Sequence, residues 1–153
     1  MSEFEMTTRD SAAVVQMDGT DFIADLTTAE TAYCSLAPET PEEKARLFNA
    51  INQPSSRLSD MIGKEIEVSD VFCEVVQLIS QSTGEVTKAP RIILFDKNGN
   101  SYSCVSIGIF GSLKKIFTIF GEPSTWPAPL KFEVKQIERG GGKRILSLNL
   151  ISA

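Results

Sequence analysis

The 153-residue chain contains no histidine. That absence excludes a Ser–His or Cys–His nucleophile, a histidine general base and any histidine metal ligand. Cysteine is scarce as well: Cys34, Cys73 and Cys104 are the only three, and no two stand in CxxC spacing. The expectation is buried, reduced thiols of a cytosolic protein rather than a disulfide framework or a zinc site. No apolar run approaches the roughly 20 residues needed to span a bilayer. The opening MSEFEMTTRD has neither a basic segment nor an apolar core, which predicts no secretory signal and a cytoplasmic location. Carboxylates show no metal-ligand spacing: Asp96 reads as turn chemistry, and Glu65 and Glu67 share an outer strand face. These absences argue against catalysis and against a metal site.

What is present is enough for one domain with a core, at 42% apolar and 8% aromatic residues. The net charge of −5 is unevenly spread. Residues 1–60 carry four Lys and Arg against eleven Asp and Glu, whereas residues 61–153 carry eleven against nine. Such asymmetry points to nucleic acid, to an arm folded against a basic surface, or simply to solvation. We divide the chain into an acidic N-terminal extension, 1–39, and a domain, 40–153. Within the extension, residues 12–15 and 22–26 are short pieces with ordered character. The extension is expected to dock on its own body or on a neighbour, which makes a homo-oligomer through it one reading.

The most informative stretch runs from Ser106 to Pro123. Ile109, Phe110, Leu113, Ile116, Phe117 and Phe120 recur at spacings of three and four, one stripe of a helix. Ser106 is placed to cap its start, and Gly121 with Pro123 to end it. An earlier helix is announced by Thr40, Pro41 and Glu43, a capping box with proline in the first turn. It runs to about Asn52 with Ala45, Leu47, Phe48 and Ile51 on its apolar side. From Lys64 the period becomes two. Its phase changes near residues 71–76, as in a strand that bends to serve two sides of a barrel. Further strands read at 91–95, 102–106, 130–137 and 145–151, with Asn98-Gly99 and Gly140-Gly141-Gly142 as hairpin turns. Three strands, a helix and two strands are the layout of an OB-like five-stranded barrel, mainly β, with the helix between strands 3 and 4. An SH3-like barrel and an open α+β sheet are the alternatives.

Such barrels bind single strands or sugars on strands two and three, between the loops that join strands one to two and four to five. Candidate nucleic-acid-binding residues are Lys88 and Arg91 around the first loop and Arg139, Lys143 and Arg144 around the glycine triplet. Lys97 flanks the second hairpin. Lys131 and Lys135 share an outer strand face. Cations there would neutralise phosphates, and Tyr102 would stack a base. Each has a plainer reading: a solvated hairpin tip for the basic triplet, a packed ring for Tyr102. Trp126, between Pro123 and Pro127, is either a stacking residue or, preferably, a lid over the barrel.

Several stretches together resemble the small single-stranded DNA-binding proteins of tailed bacteriophages and related mobile elements. They are LFNAIN, LSDMIGKEIEVSDVF, TGEVTKAPRIILFDKNGNSYSCVSIGIFGSLKKIF, FGEPSTWPAPLKFEVKQ and KRILSLNL. The resemblance implies an OB-like fold, no catalysis, no cofactor and sequence-tolerant binding of single-stranded DNA in replication or recombination. Partners would be that DNA and proteins of those pathways. The long acidic start departs from the pattern. The alternative function is a protein-interaction module on the same barrel, such as a phage inhibitor of a host factor with a DNA-mimicking acidic arm.

Overall fold

The computed structural model describes residues 14–15 and 32–153, and of Val14, Val15, Arg139 and Lys143 the backbone alone. Residues 22–26, one of the ordered pieces expected in the extension, lie outside the described residues. Of residues 12–15, Val14–Val15 forms β1, a two-residue strand parallel to β2, Ala32–Cys34. β2 is fully built into the core, although it falls within the stretch read as an extension. Tyr33 is among the largest fully buried side chains. Its ring meets Phe117 edge-on at 5.6 Å and its hydroxyl donates to Glu122 Oε1 at 2.9 Å.

Helix α1, Pro41–Asn52, starts as its sequence announces. The Thr40 hydroxyl accepts from the Glu43 amide at 3.1 Å, and the Glu43 carboxylate accepts from the Thr40 amide at 3.4 Å. Leu47, Ala50 and Ile51 pack on the sheet, while Phe48, expected on the apolar side, is 63% exposed. A short strand, β3 (Ser56–Arg57), follows and leads into a 3-10 turn, Leu58–Met61.

The bend expected in the first long strand occurs at Ser69, slightly earlier than the sequence phase suggests. β4, Glu65–Val68, and β5, Asp70–Ile79, are two halves of one run. Val68 and Val71 both enter the main core, so the inward parity changes across Ser69. The Ser69 amide and hydroxyl both donate to the Phe95 carbonyl, at 2.7 and 3.2 Å. β4 pairs with β8 (Leu130–Arg139) and β5 with β6 (Val86–Phe95), both antiparallel. The single run therefore links two sheets. One is ordered β1-β2-β5-β6-β7-β3, with β7 at Ser101–Val105, and the other β4-β8-β9, with β9 at Lys143–Ser152.

β6 begins at Val86 rather than at 91 because it continues as a two-stranded arm with β5 beyond the end of β7. Pro90 sits on that arm. Its carbonyl accepts from the Ser106 amide at 3.3 Å, on the β7 side, and its missing N–H points off the same edge. β8 and β9 likewise run past β4 as a second arm, closed by Gly140–Gly142, in which Gly141 and Gly142 have positive φ.

Helix α2, Ile107–Phe120, is capped by the Ser106 hydroxyl, which accepts from the Ile109 amide, and ends at Gly121 with φ 82°. Ile109, Leu113, Ile116 and Phe117 are buried between the sheets, with Phe110 and Phe120 packed beside them. The architecture is mainly β, two sheets with two helices, and it corrects the closed barrel expected from sequence. Among the described residues β7 and β9 do not pair. The first turn of α2 lies against β9 there: a Cβ on Gly108 would collide with the Leu146 carbonyl oxygen.

That close approach gives a stability test. Gly108→Ala should destabilise the protein by about 1–3 kcal/mol, as overpacking does. Gly111→Ala, where a Cβ meets open space, should be neutral or stabilising by about 0.5–1 kcal/mol through helix propensity. Urea unfolding of the two variants beside the parent protein checks both.

Candidate nucleic-acid interface

The outer face of β6 and β7, where a single strand was expected to lie, is not open along its length: its β6 part is covered together with neighbouring β5. Phe72, Ile93 and Phe95 point outward from the main core, and α1 covers them through Leu47, Ala50 and Ile51, with Leu36 from the segment before the helix. Arg91 stands at the edge of this cover. Its guanidinium donates to Glu74 Oε2 at 2.9 Å and to the Ile51 carbonyl at 2.6 Å, and the side chain is only 23% exposed. A cation at the carboxyl end of α1 satisfies a carbonyl that the helix leaves open. Arg91 therefore ties α1 to the sheet, and two of its five donors are committed.

Of the two readings the sequence left open for Tyr102, the structure takes the packed ring. The ring is in the main core, 9% exposed, and offers no face to a base. Burial, then the neighbouring Asp96 carboxylate, raises the pKa of its hydroxyl, which lies 3.4 Å from Asp96 Oδ2. Strand alternation is the reason: position 102 shares parity with Cys104 on the inward side, and Ser101, Ser103 and Val105 face out.

The remaining candidates fall into separate groups. Lys88 is exposed on the β5–β6 arm, in the row that Ile92 continues into the core. Arg144 is exposed on the β8–β9 arm, in the row of Leu146 and Leu148. Both arms thus carry a cation on the outward extension of the core-facing side. Arg139 and Lys143 oppose one another in register at the second arm's tip, and their side chains lie outside the described residues. Lys97 is at the other end of β6, about 30 Å from Lys88 by strand rise. It shares a shallow cleft of about 200 Å³ with Trp126, Asp70 and Pro123. Trp126 is half-buried against the core, its indole N–H donating to the Gly121 carbonyl at 3.0 Å, so it covers the core while keeping one side at this cleft. Burial raises the pKa of Asp70, against the lowering effect of hydroxyls from Ser35 and Ser69. Lys131 lies 3.3 Å from Glu65, and Lys135 lies 4.0 Å from Glu133, both on the outer sheet face.

Sequence reasoning missed a cleft of about 340 Å³ at the unpaired seam between β7 and β9. It is lined by Arg57, Ser59, Arg91, Ser103, Val105 and Leu146, with Cys104 on its floor. Arg57 reaches it because β3 lies parallel to β7, with Arg57 beside Ser103. A reciprocal pair holds that strand in place: the Ser55 amide donates to the Ser101 hydroxyl at 3.0 Å, and the Ser101 amide to the Ser55 hydroxyl at 3.2 Å. Burial pushes the Cys104 thiol up to about 12, so it is protonated at neutral pH. A two-residue strand after a helix has no periodicity, and only the Ser55-Ser56-Arg57 composition marked the place. No group of three metal-ligating side chains exists among the described residues, and no described helix is long and apolar enough to cross a membrane.

The chain matches the family described as phage single-stranded DNA-binding protein over residues 27–151, and it belongs to that family. No curated protein and no solved structure matches it.

The role of Arg91 in holding α1 is testable without DNA. Arg91→Leu leaves Glu74 and the Ile51 carbonyl without their donor and should cost about 1–3 kcal/mol in denaturant unfolding. Unchanged stability would show that the clamp contributes nothing.

Proposed function

For a member of a phage single-stranded DNA-binding family with this geometry, we propose sequence-tolerant binding of single-stranded DNA between the two β arms. The family match carries this reading, and the placement of cations on both arms supports it. We read the strand order as that of an OB-like barrel left open at one seam, with the arms in the places of the loops that frame the ligand in such barrels.

Phosphates run past Lys88 on one arm and past Arg139, Lys143 and Arg144 on the other. Lys135 extends that track along β8. Cations on protruding hairpins suit a strand without fixed sequence, because they exchange counterions for phosphates without reading base edges. Lys97 with Trp126 forms a second contact at the far end of β6, where an indole face and an ammonium meet one nucleotide of a longer strand. Lys131 is less available there, being paired with Glu65. Tyr102 takes no part, and Arg91 acts from its fixed position at the root of the first arm. The role fits protection of exposed strands during replication or recombination of phage DNA in the host cytoplasm. It is binding, with no bond made or broken.

Anisotropy of a labelled oligo-dT across a salt series tests this. Each phosphate contact to a single strand contributes about −0.7 to the slope of log K against log salt. The four arm cations together with Lys135 and Lys97 predict a slope of about −4, and Arg144→Ala should make it shallower by about 0.7. A duplex of the same length should bind more weakly. Absence of oligo-dT binding at low salt would refute the reading.

A further inference from the structure

We propose that the seam cleft between β7 and β9 holds one nucleotide of the bound strand, its phosphate on Arg57 and Arg91 and its base against Val105 and Leu146. This rests on the single-stranded DNA reading above and adds to it a fixed subsite inside the protein body.

The cleft brings together the two kinds of group that a nucleotide needs. Guanidinium groups present planar forks that match phosphate oxygens, and Ser59 and Ser103 offer hydroxyl donors beside them. Val105 and Leu146 give an apolar wall for one face of a base. The volume of about 340 Å³ is at the small end of ligand sites, which suits one nucleotide and not two.

The two arginines differ in a useful way. Arg91 is held by Glu74 and the Ile51 carbonyl, so its uncommitted donors are already oriented and little side-chain freedom is lost when a phosphate arrives. Arg57 is 77% exposed, and its neighbour Asp60, 3.5 Å away, is itself 56% exposed. Such a solvated pair contributes little and yields readily to a phosphate. The position is also right. Leu146 lies two residues from Arg144, and Arg91 three from Lys88, so the cleft is at the roots of both arms. A strand passing between the arms crosses it. Only an unpaired nucleotide can turn its base into a slot of this size. The subsite therefore discriminates against duplex DNA, as the stacking contact at Trp126 does and the arm cations alone do not.

The test uses the full chain and labelled oligo-dT. Arg57→Ala should weaken binding about tenfold near 0.1 M salt and make the salt slope shallower by about 0.7. Arg57→Lys should keep the slope. Arg46→Ala, which removes an equal charge from α1 away from the cleft, should leave both values unchanged. A second measurement does not depend on charge. Ser103→Cys in a Cys104→Ala background places a single thiol in the cleft, because Cys34 and Cys73 are buried. Saturating oligo-dT should slow maleimide labelling of that thiol at least tenfold. If the parent protein binds oligo-dT but Arg57→Ala behaves like Arg46→Ala, or the Ser103→Cys thiol labels at the same rate with and without DNA, the subsite is wrong and the arm reading stands. If the parent protein binds no oligo-dT, both fall together.

Discussion

The burial of one helical face between two sheets is what the rest of this structure depends on. Ile109, Leu113, Ile116 and Phe117 of α2 are removed from water almost completely. At about 1.5–3 kcal/mol for each such side chain, their burial amounts to roughly 6–12 kcal/mol, comparable with the whole net stability of a domain. Neither sheet closes its own core. The six-stranded sheet contributes Tyr33, Val71, Cys73, Ile92 and Leu94, and the three-stranded sheet contributes Ile66, Val68, Phe132 and Val134. The helix is the common surface on which both rest. Its first turn also sets how near β9 can come, because only a glycine at 108 lets the helix meet the Leu146 carbonyl.

The same arrangement separates cations built into the fold from cations that stand on the arms. Arg91 lies on the strand that a barrel reading selects for binding, yet it holds the carboxyl end of α1 against β5 and β6. Lys131 is engaged with Glu65. Lys88 and Arg144 stand on the arms, beyond the point where a third strand or a helix covers the sheet, and both are exposed.

Much of this was legible in the sequence. The α1 capping box, the stripe and caps of α2 and the Asn98-Gly99 turn follow from local chemistry that the structure repeats at the same residues, and the bend in the first long strand was legible to within a few residues. Tyr102 was not legible. One aromatic in a five-residue strand is assigned to a face by parity alone, and that parity is fixed by the pairing of Leu94 with Tyr102. β2 was hidden for a related reason: three residues cannot show a period, and their burial comes from β5 alongside. The open seam was hidden because the position of Gly108 against a strand almost forty residues away is a tertiary fact. The cleft beside it combines residues from β3, β6, β7 and β9, which no local window contains.

Hairpin arms with bare backbone edges are the parts of a fold most prone to stitch copies of a chain into a continuous sheet. On the first arm Pro90 stands on the edge that β7 leaves, and it has no amide hydrogen to give. The ladder that a neighbour would need is short of a donor there, so this edge is a poor template for further pairing.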